Sequence, residues 1–339
     1  MKILIDIKHP AQLNLFKGLA KELVISGWTV IICYLDRGKL PKIIDREYAE
    51  FNRIKVGSSK GTKWSIFWNG NVMRTTSFLK MINQEKFNIC ISASSAPLAL
   101  ACKITGTPLL QFYDDPERKT INKINANLST KIFFPPIVEQ NKHVEIFDCL
   151  KEWSYLSPSY FKPDKTVLEK YGLKPNEYVF VREVSNKSFN YYNQEDAIIC
   201  SISGQINKNI PVLLSLEDKS IKDKFPDNWT ILEEPIADIH SLIYFSKLMV
   251  SSGDSMAREG AMLGIPSIYC GIREMKANQL LIDKGILEHC PVEKAVKPFN
   301  DYISSEFDQE KQIKIRENLL KEWVDMNQFM ISQILKYKK

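Results

Sequence analysis

Residues 248–270 read LMVSSGDSMAREGAMLGIPSIYC, and no other stretch limits so tightly what the chain can fold into. An apolar run at 248–250 breaks into small polar residues, Ser251, Ser252, Gly253, Asp254 and Ser255. A helical pattern follows over 256–263 and stops at Gly264, and Pro266 then opens a second apolar run, Ser267 to Cys270. Strand, small-residue turn, helix, glycine stop and strand form a βαβ unit, which requires a parallel sheet with helices on its faces. The turn falls at the carboxyl end of a strand and the amino end of a helix. There, unpaired backbone N–H groups and the helix dipole favour an anion such as phosphate. Glu259, one turn into the helix, is placed to accept hydrogen bonds from a ribose or sugar hydroxyl. Gly/Ser turns also precede helices that bind nothing, so the turn alone leaves a phosphate site and a plain connection equally open.

The rest of the chain repeats this alternation. In the first half, strands are expected at 2–7, 30–34, 54–56, 88–92, 108–112 and 131–134, with helices at 11–26 and from 96 to 103. The second half brings strands at 178–182, 211–215 and 229–232 and helices at 194–203 and 236–245, before the 248–270 unit. Continuous apolar runs of this kind mark parallel strands covered on both faces. Pro158, Pro163, Gly172 and Pro175 cluster where the two halves meet, giving an expected first domain at 1–160 and a second at 161–310. A final helix is expected over 308–337.

With 339 residues the chain exceeds one ordinary core. Its 44% hydrophobic and 25% charged content is that of a globular protein. No apolar run reaches the roughly 18 residues that span a bilayer, and the chain starts directly with a strand, so a cytoplasmic location is expected. The 7 cysteines show no CxxC pair and read as small buried residues rather than a metal site or disulfide framework. The net charge of +6 fits plain solubility, or attraction to anionic substrates or an anionic membrane surface. No nucleic-acid-binding module is present. Residues 60–74 interleave Lys60, Lys63 and Arg74 with Trp64, Phe67 and Trp68, either a peripheral membrane contact or tryptophans packed inward.

The 252–266 string resembles the donor-site segment of bacterial UDP-N-acetylglucosamine 2-epimerases and of the peptidoglycan N-acetylglucosaminyl transferase, both of the glycosyltransferase-B (GT-B) architecture. A fuller resemblance, spanning nearly the whole chain, is to a family of GT-B-like archaeal and bacterial proteins encoded with surface-polysaccharide genes. It rests on MKILIDIKHP at 1–10, DDPE at 114–117, KEWSYL at 151–156, VFVR at 179–182 and QLLIDKG at 279–285.

The resemblance implies two doubly wound Rossmann-like domains facing a cleft, with the helix at 311–339 returning to the first. It implies a nucleotide sugar, most simply UDP-linked, as substrate, with no further cofactor and no metal. Ser252, Gly253, Asp254, Ser255 and Met256 then meet the diphosphate, and Glu259 the ribose. The related sequences carry a second glycine where this chain has Asp254, whose charge beside a diphosphate leaves it to point away, to pair with Arg258 or Arg182, or to contact a sugar hydroxyl or amine. Arg182, at a strand end, suits a two-pronged phosphate contact or a salt bridge with Glu183. Arg273, Glu274 and Lys276 follow the next strand end, a position that faces bound sugar in GT-B enzymes. On the first domain, His9 lies where an acceptor-side base would lie, with Asp6 and Asp115 as rivals. Ser94 and Ser95 either contact the acceptor or cap their helix. The expected activity is metal-independent sugar transfer from the nucleotide sugar to a glycan or lipid-linked acceptor in surface-polysaccharide synthesis. A 2-epimerase of the same fold and a non-catalytic binding subunit are the alternatives. The epimerases carry a His-Arg-Arg-Glu-Asn-like segment where this chain has Val181, Arg182, Glu183, Val184, Ser185 and Asn186.

Overall fold

The computed structural model describes residues 1–58, 71–187, 191–206, 209–233, 236 and 238–338, so most of the basic-aromatic segment at 60–74 lies outside the described residues. The chain divides into two compact units: residues 1–160 with 323–339, and residues 161–322.

Unit 1 starts with β1 (Lys2–Ile7), whose Ile3, Leu4, Ile5 and Ile7 are fully buried. Helix α1 (Leu13–Ile25) packs Leu15, Phe16, Leu19 and Leu23 inward and ends where Gly27 takes φ 78°. There follow β2 (Thr29–Asp36), α2 (Leu40–Glu47), β3 (Asn52–Ser58), α3 (Met73–Glu85), β4 (Ile89–Ser92) and α4 (Ala96–Thr105). The unit continues with β5 (Leu109–Phe112), α5 (Lys119–Leu128), β6 (Lys131–Phe134) and β7 (Val144–Ile146). All seven strands run parallel in the order β3-β2-β1-β4-β5-β6-β7. The order reverses between β1 and β4. Right-handed crossovers therefore put α1 and α2 on one face and α3, α4 and α5 on the other.

Unit 2 contains β8 (Val179–Glu183), β9 (Val212–Leu216), β10 (Thr230–Ile231), α6 (Ile239–Tyr244), β11 (Leu248–Ser251) and α7 (Asp254–Met262). It continues with β12 (Ser267–Tyr269), α8 (Lys276–Asp283), β13 (Glu288–His289), α9 (Val296–Ser304) and α10 (Gln309–Glu322). Six parallel strands are ordered β10-β9-β8-β11-β12-β13, reversing between β8 and β11. Val179, Val181, Leu214, Leu248, Val250 and Ile268 form the centre of one core cluster. Gly260 lets α7 approach the sheet, since a Cβ there would meet Ser267 Oγ at 2.6 Å and Met249 Cγ at 2.8 Å.

Two of the expected elements take another form. The helix expected at 194–203 is a short 3-10 turn, Ile198–Ile202, entered through Ala197 at φ 58°. The single last helix is broken. α10 stops at Glu322, and α11 (Met326–Leu335) starts afresh with Asp325 accepting from the amides of Asn327 and Gln328. Trp323 packs edge-on against Trp153 of unit 1, with ring centroids 5.4 Å apart. Asn327 donates to Ser154 O at 2.8 Å, and Phe329 sets its ring against Phe133 at 5.6 Å. Among the described residues no helix is long and apolar enough to cross a membrane.

Candidate functional site

In an open parallel sheet the crevice for a ligand forms at the carboxyl ends of the strands, where the strand order reverses. In unit 2 that point lies between the end of β8, carrying Arg182 and Glu183, and the end of β11, carrying Ser251 and Ser252. The two loops are tied together. Ser252 N donates to Arg182 O at 2.9 Å, and Val184 N donates to Ser252 Oγ at 2.9 Å. Gly253 is the N-cap of α7. A Cβ there would lie 2.5 Å from Val184 Cγ1, so the close approach of the two loops requires glycine.

Asp254 opens α7 and is almost wholly buried. Its Oδ1 accepts from Ser255 N at 2.9 Å and from the Tyr191 hydroxyl. Its Oδ2 accepts from Arg273 Nη1 at 2.9 Å, with Arg258 Nη1 3.8 Å away. Arg273 also lies over the Tyr191 ring, 5.6 Å from its centroid. Arg258 is buried and donates to Asn278 Oδ1 at 2.9 Å. The Asp254 charge is thus compensated by two guanidinium groups and a phenol, and the carboxylate itself fills part of the helix N-terminus.

Arg182 is half-buried and turns toward β9, donating to Ser215 Oγ and Glu217 Oε2, both at 3.0 Å. Glu217 is a carboxylate partner of Arg182 across the β8–β9 pair. Glu183 points into the core, its Oε2 accepting from Ile199 N at 3.0 Å, and burial pushes its carboxyl up from 4.5 to about 7. Glu259 lies one turn into α7, its Oε2 3.4 Å from His240 Nε2. Ser255 and Met256 are half-buried, and Glu274 and Lys276 lie exposed at the start of α8. The fold therefore gathers Arg182, Ser252, Gly253, Asp254, Ser255 and Arg273 at one switch point. A pocket of about 360 Å³ lined by Gly172, Lys174, Asn209 and Pro211 opens at the amino ends of β8 and β9, away from this point.

The switch point of unit 1 lies between the β1 loop and the β4 loop. Lys8 Nζ donates to Ser94 O, and Ser94 adopts φ 66°. Ser95 is the N-cap of α4 but its hydroxyl makes no capping bond; its amide donates to Gln111 Oε1 at 2.7 Å. His9 keeps an exposed edge, yet protein packs closely around the ring. That crowding, with Arg37, Lys151, Lys8 and Arg118, pushes it down to about 4. Burial likewise pushes the Lys8 ammonium down to about 8. Asp115 pairs with Arg118 at 3.2 Å, and Asp114 with Lys151. Asp6 is fully buried in an ion pair with Arg74, whose Nε donates to Val56 O at 2.8 Å. This places Asp6 under the crevice as a structural carboxylate, out of reach of an acceptor hydroxyl. Among the described residues no group of three or more His, Cys, Asp or Glu side chains is placed to hold a metal ion.

Sequence reasoning did not single out Tyr191, His240, Ser215 or Glu217. For Ser215 and Glu217 the signal was their place at a strand end; Tyr191 and His240 gave none.

Solved structures share this fold. The glycosyltransferase VinC in complex with DTDP superposes with a TM-score of 0.68 at 11% identity, covering 99% of each chain. UDP-GlcNAc 2-epimerase from Neisseria meningitidis bound to UDP-GlcNAc gives 0.68 at 12% identity over 100% of both chains. MurG of Acinetobacter baumannii gives 0.59 at 13% identity, covering 99% of this chain and 100% of that one. The fold is that of the GT-B class, two Rossmann-like parallel-sheet units. Uncharacterized protein MJ0665 of Methanocaldococcus jannaschii is 24% identical over 303 residues, which is 85% of this chain and 86% of that protein. The family described as protein of unknown function (DUF354) matches residues 1–332, and the chain belongs to it.

Proposed function

We propose that the protein is a glycosyltransferase that moves a sugar from a nucleotide-sugar donor, UDP-linked in the first instance, to a glycan or lipid-linked acceptor of surface-polysaccharide synthesis. The observation that carries this reading is the convergence of Arg182, Arg273, the α7 N-terminus and Glu259 at the switch point of unit 2. The guanidinium groups and backbone N–H groups there hold the leaving diphosphate and stabilise its developing charge without a metal. Glu259, steadied by His240, accepts from the ribose hydroxyls. On unit 1, His9 is neutral at pH 7 and accepts the proton of the acceptor hydroxyl as it attacks the anomeric carbon. A base held near 4 is weak, and an anionic ligand beside Arg37 and Lys151 raises it toward working strength.

Two other readings use the same donor turn. A 2-epimerase fits the turn, but the segment from Val181 to Asn186 has no histidine. A non-catalytic subunit, binding a sugar nucleotide or another transferase, is the reading that Asp254 favours, since its carboxylate already occupies the α7 N-terminus and Arg273 and so competes with a diphosphate there.

Thermal-shift titration with UDP-, GDP-, CMP- and dTDP-sugars, with and without EDTA, tests the donor site. One nucleotide class should raise the midpoint regardless of EDTA, and Arg182→Ala or Glu259→Ala should abolish the shift. No shift with any nucleotide overturns the reading. A shift without nucleotide release or sugar isomerisation on any acceptor leaves the binder, and release that is unchanged in His9→Ala removes His9 as the base.

A further inference from the structure

Three neighbouring helices, α3, α4 and α5, cover one face of the unit 1 sheet, and their outward surfaces differ in kind. α3 turns Thr76, Ser77, Lys80 and Gln84 to solvent and exposes a single large apolar side chain, Met73 (50%), at its first residue. α4 and α5 instead expose Leu100 (41%), Ile104 (62%), Ile121 (42%) and Ile124 (48%). Leu100 and Ile104 lie one turn apart, as do Ile121 and Ile124, so each pair shares a helix face. Lone exposed apolar residues are ordinary, but two such pairs on adjacent helices make a patch. The same two helices carry Lys103, Lys119 and Lys123, all exposed, and no Asp or Glu; the acid next to them in sequence is Glu117, before α5.

Apolar side chains set among lysines with no opposing carboxylate match an anionic bilayer surface. The isoleucines enter the acyl boundary, and the lysines meet headgroup phosphates. A second copy of this chain fits poorly, because a two-fold contact through this face would bring the lysines of both copies into one interface with no carboxylate from either helix to pair them. We propose that the outward face of α4 and α5 docks the protein on an anionic lipid surface. The docking is independent of what the α7 turn binds.

Co-sedimentation of the full chain with vesicles tests this. The protein should pellet at low salt with phosphatidylcholine vesicles containing phosphatidylglycerol, stay soluble with phosphatidylcholine alone, and be released as salt rises. Lys103→Gln, Lys119→Gln and Lys123→Gln should each weaken binding about fivefold, and about a hundredfold together. Ile104→Glu with Ile124→Glu should abolish it, and Thr76→Glu on α3 should leave it unchanged. The lysine set keeps the apolar patch intact and so reads the face even if the double glutamate variant folds poorly. Absence of pelleting with the anionic vesicles overturns the proposal, as does pelleting that both sets leave intact. Self-association in solution that Ile104→Glu and Ile124→Glu dissolve assigns the face to a second copy instead.

Discussion

At the switch point of unit 2 a carboxylate of the chain fills the helix N-terminus, whereas at that of unit 1 cations crowd one another. Asp254 draws Arg273, Arg258 and Tyr191 around itself, and charge there is largely cancelled from within. Burial first, and then neighbouring cations, depress Lys8 and His9: Arg74, Arg118 and Arg37 act on Lys8, and Arg37, Lys151, Lys8 and Arg118 on His9. Asp114 and Asp115 offset part of this surplus, and Asp6 is turned down to Arg74. The two sheets share one strand-order reversal, so topology supplies a crevice in each. The loop residues decide whether that crevice brings its own anion or attracts one.

This contrast can be broken from either side. The largest effect is expected at the floor of the unit 1 crevice. Arg74→Met leaves Asp6 as an unpaired buried charge and should cost about 3–5 kcal/mol, read as a fall in denaturant midpoint. The next is the buried carboxyl behind the unit 2 turn. Glu183 rises from 4.5 to about 7 in the folded protein, chiefly through burial, so the fold prefers its protonated form. Its stabilising contribution is complete below the unfolded value and is lost as pH climbs toward 7, on the order of 3 kcal/mol in all. Thermal midpoints across that window should fall in the wild type and stay flatter in Glu183→Gln. A smaller effect is expected for Asp254→Asn, which removes the internal anion. Nucleoside diphosphate should then bind about tenfold tighter by calorimetry. Weaker binding would mean that Asp254 serves to position Arg273. The smallest is electrostatic tuning in unit 1: Arg37→Met should raise the His9 pKa by roughly half a unit in an NMR titration of the ring.

Much of the architecture was legible because buried parallel strands are written as unbroken apolar runs. β1, β4, β5, β8 and β11 are each buried along nearly their whole length and stand close to where those runs fall. The break between α10 and α11 was not, because no glycine or proline marks it and the apolar spacing runs on through Trp323. At the break Trp323 packs against Trp153, which lies far away in sequence, and Asp325 caps the restarted helix. The site follows the same division. Gly253, Asp254 and Glu259 could be placed from a local strand-turn-helix pattern. The direction in which Arg182 points could not, since Ser215 and Glu217 reach it only through strand pairing of β8 with β9. The partners of Asp254 were half legible. Arg258, one turn along the same helix, was foreseeable, whereas Tyr191 and Arg273 arrive from separate loops.

The break before α11 also bears on how the chain matures. Unit 1 is discontinuous, closed by residues 323–339 after the whole of unit 2 has been threaded between its parts. Asn327 and Phe329 reach Ser154 and Phe133 only once translation has passed them. During synthesis the amino-terminal sheet therefore waits with the seat of α11 uncovered, while unit 2 can already assemble its own sheet. Vectorial synthesis thus leaves the first-made unit the last to be finished, and a nascent chain halted before residue 323 should expose that seat to chaperones.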